Sequence, residues 1–233
     1  MLNNSMDCIV LAGGFGTRLS SISNGIPKAL LPVGNGVYLD LLLEKILNNK
    51  TVHVYLSLHY KSELFQHYVD NSFYKKNITV VIEPEPLGTG GAIKYVIENS
   101  TISSSFIVIN GDSLSDLKFD QMNLEFEKRN LKAMIGISNV KDAERYGTVC
   151  VENGIVLYFQ EKGFIGSEWV NNGHYIFKKE SFDGFNNAFS LEKDVFPKLI
   201  KNQKLGVFKV NNDNFIDMGI PEDYEKLCNN YLG

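Results

Sequence analysis

Through its first half the chain alternates short β-rich runs with helical spacing, and this alternation limits the possible folds more than any other feature. CIVLA at 8–12 is followed by Leu39, Leu42, Leu43 and Ile46 at helical spacing, then by VHVYLSL, a helix near 61–74 and ITVVIE. A second helical pattern starts at Thr89, with Ile93, Val96 and Ile97 on one face, and leads into the continuous apolar strand FIVIN. Strands without a polar face need cover on both sides, and intervening helices let successive strands run parallel. The expected fold class is therefore α/β: a Rossmann-like three-layer αβα sandwich with a mixed, mainly parallel central sheet. After about residue 131 the rhythm changes to AMIGIS, GTVCV, IVLYFQE and WVNNGHYIF before two closing helices, which predicts an antiparallel portion. In the last helix Pro221 sits at the first turn, Glu222 and Asp223 complement the dipole, and Ile220, Tyr224, Leu227 and Tyr231 share a face.

A chain of 233 residues, 44% hydrophobic and 21% charged, suits one globular domain spanning 1–233, and no Pro-, Gly- or Ser-rich linker divides it. The net charge of -4, without any basic block, argues against nucleic acid or an acidic membrane surface as partner. The longest apolar run, VYLDLLLEKIL, is cut by Asp40 and Glu44, and MLNNSMDCIVLAGG lacks a basic leader, so a cytoplasmic protein without a membrane span is expected. Cys8, Cys150 and Cys228 are odd in number and far apart, which predicts reduced, buried and inert thiols.

Residues 10–19, VLAGGFGTRL, run from an apolar strand into glycines and one arginine, and match neither the dinucleotide fingerprint nor a Walker loop. Gly13, Gly14, Phe15 and Gly16 let backbone N–H groups approach phosphate, and Arg18 offers a permanently charged fork. An ordinary strand-to-helix turn with a solvated arginine reads equally well on the loop alone. IPKALLPV (26–33) holds Lys28 between two prolines in a segment expected to be extended rather than helical. A lone lysine there is more often plain surface. Asp112, in NGDSL, should emerge at the carboxyl end of a strand, where open α/β sheets place ligands. His53, His59, His67 and His174 lack ligand spacing and read as structural.

Together, AGGFGTRL and PKALLPV resemble the N-terminal signature of the sugar-1-phosphate nucleotidylyltransferases, a resemblance that runs from about residue 6 to 228. It implies a nucleotidyltransferase fold of GT-A type, with a nucleotide-binding half at about 1–115 and a sugar-phosphate-binding half at about 116–233. The nucleotide would meet Leu11, Ala12, Gly13, Gly14, Gly16, Thr17, Arg18 and Lys28, and the base-binding stretch with Glu83, Pro86, Leu87, Gly88 and Thr89. A carboxylate only accepts hydrogen bonds, so Glu83 suits the N1–H and 2-amino donors of guanine, whereas members selecting uracil or thymine commonly carry glutamine there. Asp112 and Asp217, the latter in FIDMGIPEDY, match the aspartates that bind Mg2+ in the family. Gly111, Tyr146, Gly147, Glu161, Lys162 and Asn171 match its sugar-phosphate contacts, and Arg18, Lys28, Asp112 and Lys162 its catalytic groups.

The partners implied are GTP and a sugar 1-phosphate, and a homodimer is left open. NGDSL, QEKG, SLEKDVFP and FIDMGIPEDY look most like the heptose 1-phosphate guanylyltransferases of the family, with the mannose 1-phosphate enzymes next, and a member without a hexapeptide-repeat tail is expected. Asn172 and Ala29-Leu30-Leu31 depart from the usual wording. Two other classes remain: a GT-A-type glycosyltransferase, which would normally show Asp-x-Asp where NGDSL has one aspartate, and a non-catalytic nucleotide sensor.

Overall fold

The computed structural model describes residues 6–14, 23–48, 53–140, 143, 146–160, 169–211 and 214–231. In β1 (Cys8–Leu11), Cys8, Ile9 and Val10 are completely buried, Cys8 and Val10 in one apolar layer and Ile9 in the other. Each such aliphatic side chain contributes about 1.5–3 kcal/mol when removed from water, so the strand is stable only with helices on both faces.

A two-stranded ribbon, β2 (Pro32–Val33) with β3 (Gly36–Val37), leads into α1 (Tyr38–Asn48) and β4 (Val54–Leu58). Then come α2 (Ser62–Asn71), β5 (Ile78–Ile82), α3 (Gly88–Asn99), β6 (Ser105–Asn110), the short β7 (Ser113–Leu114) and α4 (Phe119–Lys128). β8 (Ala133–Asn139), β9 (Thr148–Glu152), β10 (Ile155–Gln160) and β11 (Trp169–Lys178) precede α5 (Phe196–Lys201), β12 (Leu205–Val210), β13 (Ile216–Asp217) and α6 (Pro221–Asn230).

Nine strands form one sheet in the order β5-β4-β1-β6-β11-β8-β12-β10-β9. The β5-β4-β1-β6 portion is parallel, and β11 runs antiparallel to both of its neighbours. β9 also touches β11 through Thr148 and Val170, so the far end of the sheet curls back on itself. On one face lie α1, α2, α4 and α6, through Leu39, Leu42, Phe65, Met122, Phe126 and Leu227; on the other lie α3 and α5, through Ile93, Val96, Phe196 and Leu199. The three-layer mixed α/β architecture expected from the alternation is present.

The expected antiparallel portion is present, with β11 antiparallel to β6 and β8 and β10 antiparallel to β9 and β12, while β12 pairs parallel with β8. Three points differ from the sequence reading. Neither β12 nor α4 was anticipated; in α4 only Phe119, Met122 and Phe126 mark the buried stripe within an acid-rich decapeptide. Residues Lys28–Leu30 form one 3-10 turn instead of extended chain, closed by Leu30 N–H on the Pro27 carbonyl at 2.8 Å, because a proline in front of a turn fixes its own φ and leaves the next residues free to coil. Cys8 is buried, and burial pushes its thiol far above the usual range, but Cys150 and Cys228 are only half-buried. Among the described residues no helix is long and apolar enough to cross a membrane.

Candidate active site

The register of the sheet gathers the predicted residues. Leu11 pairs with Ser57 on one side and with Asn110 on the other, and Leu58 pairs with Ile82. Gly13, His59, Glu83 and Asp112 therefore leave the sheet at one edge. β1 has β4 on one side and β6 on the other, so this edge is the point where strand order reverses, and open α/β sheets form their ligand crevice there.

A cavity of about 320 Å³ opens at this edge, lined by Leu11, Gly13, Gly14, Lys28, Glu83, Pro86, Leu87, Gly88 and Thr89, together with His59, Ala92, Asn110 and Asp112. Ala12 is buried beside it and is absent from the lining. Glu83 is 7% exposed: its Oε1 accepts from the Ser57 hydroxyl at 3.0 Å and its Oε2 from the Leu87 N–H at 3.4 Å. Burial pushes the Glu83 carboxyl above its usual range, against the opposing pull of these two donors and of His59. The His59 Nδ1 stands 3.2 Å from the Glu83 carbonyl oxygen, so a histidine read as structural does support the wall of the cavity. Gly13 cannot be replaced without movement, because a Cβ there would lie 2.9 Å from the His59 backbone nitrogen and 3.4 Å from Glu83 Oε1. At the head of α3, Gly88 has φ +71°, and the Gly90 and Gly91 amides donate to the Phe189 carbonyl at 3.0 and 3.2 Å.

A second cavity, of about 640 Å³, adjoins the first, and Asn110 and Asp112 line both. Its wall also carries Ser113, Tyr146, Gly147, Asn171 and Asp217. Ser113 of β7 pairs with Asp217 of β13, and the Met218 N–H donates to the Asp112 carbonyl at 2.7 Å, which locks the two aspartate segments side by side. A Cβ added at Gly219 would lie 2.9 Å from Asp217 Oδ1 and 3.8 Å from Asp112 Oδ2, so both carboxylates face one small volume. Asp112 is ion-paired with Lys28. Beneath them the Tyr38 hydroxyl is buried without a partner among the described residues, and its proton is held by burial first and then by the charges of Asp112 and Asp217.

Residues 7–232 match the nucleotidyl transferase family. The chain belongs to this family. The nucleotidyl transferase is 35% identical over 226 residues to the D-glycero-alpha-D-manno-heptose 1-phosphate guanylyltransferase of Aneurinibacillus thermoaerophilus, covering 95% of this chain and 96% of the relative. It is 34% identical to the enzyme of the same name from Campylobacter jejuni, covering 94% and 97%, and 31% identical to the mannose-1-phosphate guanylyltransferase of Mycobacterium tuberculosis, covering 96% and 64%. A crystal structure of HddC from Yersinia pseudotuberculosis complexed with GMP-PN superposes with a TM-score of 0.85 at 33% identity, covering 97% of this chain and 99% of that one.

In this nucleotidyl transferase Asn171 is held on both sides: its Nδ2 donates to the Tyr175 hydroxyl at 3.1 Å and its Oδ1 accepts from the Gly173 N–H at 3.1 Å. The unusual Asn172 points into the core, donates to Ser138 Oγ at 2.9 Å and accepts from the His174 N–H at 3.2 Å. Gly136 makes room for it, since a Cβ there would lie 2.5 Å from Asn172 Oδ1. Gly111 lines neither cavity; its N–H donates to the Leu11 carbonyl at 2.9 Å and ties β6 to β1. Phe15, Gly16, Thr17, Arg18, Glu161 and Lys162 lie outside the described residues. Sequence reasoning missed Asn110, Gln160, Glu192 and Phe215 of the second cavity. Glu192 lies in SLEKDVFP, a segment noted for its resemblance without a role for this residue, and at a helix start at Ser190, whose hydroxyl accepts from the Glu192 and Lys193 amides. That pattern locates a helix and not a cavity.

Proposed function

We propose that the protein transfers GMP from GTP to a sugar 1-phosphate, with D-glycero-α-D-manno-heptose 1-phosphate as the physiological acceptor, and releases pyrophosphate. One observation carries this reading: Asp112 lines both cavities and shares a small volume with Asp217 at their junction. The names of the two relatives at 34–35% identity support the heptose acceptor.

In this scheme the guanine enters the first cavity and donates to Glu83, whose carboxylate is aimed by Ser57 and Leu87. The triphosphate runs along Gly13 and Gly14 toward Lys28, and the sugar phosphate enters beside Tyr146, Gly147 and Asn171. An anionic oxygen of the sugar phosphate attacks the α-phosphorus in line, so no general base is needed. The obstacle is repulsion: two unit charges about 4 Å apart repel by roughly 4 kcal/mol at an effective dielectric of 20, and several such pairs meet. Lys28 lies beside Asp112 at the place of attack and would exchange that carboxylate for a phosphate oxygen when the nucleotide arrives. Arg18 and Lys162 are assigned to the departing pyrophosphate and to the sugar phosphate through the motif resemblance.

Two carboxylates facing one volume, both hard oxygen donors, fit a Mg2+ ion that takes its remaining ligands from phosphates and water. Asp112 and Asp217 would hold it, and it would supply charge neutralisation to the phosphates. We place the enzyme in the cytoplasm. The mannose 1-phosphate relative from Mycobacterium tuberculosis supports mannose 1-phosphate as a second acceptor.

The test is Asp112→Asn. Pyrophosphate release is expected to fall about 100- to 1,000-fold with an unchanged circular dichroism spectrum, in line with the loss of roughly 3–4 kcal/mol of charge stabilisation. Turnover near the wild-type rate would refute the metal role of Asp112.

A further inference from the structure

Asp223 carries no role in the scheme so far, and as an acid in the first turn of α6 it needs none beyond the helix dipole. Its geometry is not that of a dipole partner alone. The residue is 6% exposed, and a single oxygen, Oδ2, accepts from two groups of the second cavity: the Tyr146 hydroxyl at 3.2 Å and the Asp217 backbone N–H at 3.4 Å. The other oxygen accepts from Lys226 at 3.2 Å. Tyr146 packs in turn against Phe215, ring centroids 5.6 Å apart, and both line the cavity. Asp217 is pinned further by its own turn, with its Oδ1 accepting from the Gly219 N–H at 2.7 Å and its carbonyl from the Ile220 N–H at 3.0 Å.

We propose that Asp223 is a positioning residue that couples the metal-holding segment at Asp217 to the sugar-phosphate wall at Tyr146 through its one shared oxygen. The proposal rests on the reading of Asp217 as a metal ligand. A carboxylate accepting two hydrogen bonds at one oxygen fixes both donors relative to each other, and groups that orient a metal ligand typically alter metal affinity about 10- to 100-fold when removed. The same oxygen holds the aromatic ring on the opposite wall, so loosening it would disturb acceptor binding as well.

The experiment measures Mn2+ binding by electron paramagnetic resonance, and steady-state pyrophosphate release with GTP and sugar 1-phosphate, for the wild type and for Asp223→Ala, Asp223→Asn, Tyr146→Phe and Asp217→Asn. Asp223→Ala is expected to weaken Mn2+ binding about 10-fold and to raise KM for the sugar 1-phosphate by a similar factor, with KM for GTP unchanged. Asp223→Asn keeps an acceptor oxygen and should restore most of both losses. Tyr146→Phe leaves Asp223 in place, so it should raise the sugar 1-phosphate KM and leave Mn2+ binding alone; these two variants carry the test should the alanine variant fail to fold. Wild-type Mn2+ affinity and sugar 1-phosphate KM in Asp223→Ala, beside lost Mn2+ binding in Asp217→Asn, would overturn the coupling and leave the metal reading standing. Intact Mn2+ binding in Asp217→Asn would overturn the metal reading and the coupling with it.

Discussion

In the proposed scheme Glu83 sets both a base preference and a pH dependence. Its carboxylate is almost fully buried, and that burial raises its pKa from the ordinary 4.5. An acid whose folded pKa is raised binds its proton more tightly in the native state, so its contribution to stability falls as pH rises from about 4.5 through the raised value. On the proposed reading guanine donates to the ionised form. KM for GTP is therefore expected to climb as pH falls through the raised pKa, at a pH above the range of an ordinary glutamate. Glu83→Gln should abolish that pH dependence, raise the melting temperature at neutral pH, and cost about 10- to 100-fold in the preference for GTP over UTP, the worth of one or two charge-assisted hydrogen bonds. An unchanged GTP-to-UTP ratio of kcat/KM would count against its role. The acceptor character of Glu83 could be read from the sequence. Its hold by Ser57 could not, because the bond spans 26 residues and depends on the parallel pairing of β4 with β5.

Among the elements, α3 is held at its head in a way that joins the two cavities. Gly88 has φ +71°, and a Cβ there would lie 2.7 Å from the Phe189 carbonyl oxygen, the same oxygen that accepts from Gly90 and Gly91. The Leu191 N–H donates to Thr89 Oγ1 at 2.9 Å, and the next residue, Glu192, lines the second cavity. Gly88→Ala is expected to cost about 1–3 kcal/mol through backbone strain and the clash, lowering the melting temperature by roughly 2–10 °C and raising KM for the sugar phosphate. A melting curve and KM matching the wild type would show that the junction is not strained by a side chain. The long periodic elements, β1, α1, β4 and β6, were legible because their apolar positions repeat over several turns or fill both faces. α4 and β12 were not: three apolar side chains suffice for a helix that covers a sheet, and the apolar run of β12 is broken by Gly206 and Lys209, while its parallel pairing with β8 leaves no local mark.

For the molecule as a whole, the reversal of strand order about β1 creates the crevice, and the turns after β1, β5 and β6, with the β7–β13 ladder, bring distant residues to it. The sequence made Lys28, Glu83, Asp112 and Asp217 recognisable one by one. Their convergence depends on Met218 meeting the backbone of Asp112 across more than a hundred residues, which no local pattern encodes. On the proposed reading such a site joins a nucleotide and a sugar phosphate with loss of pyrophosphate, whereas a glycosyltransferase or a nucleotide sensor would release none from these substrates. The most direct measurement is coupled detection of pyrophosphate with each of the four nucleoside triphosphates against a panel of sugar 1-phosphates. Release from GTP with D-glycero-α-D-manno-heptose 1-phosphate, well above every other pair and dependent on divalent metal, is the predicted result. No pyrophosphate from any pair, or faster release with UTP than with GTP, would contradict it.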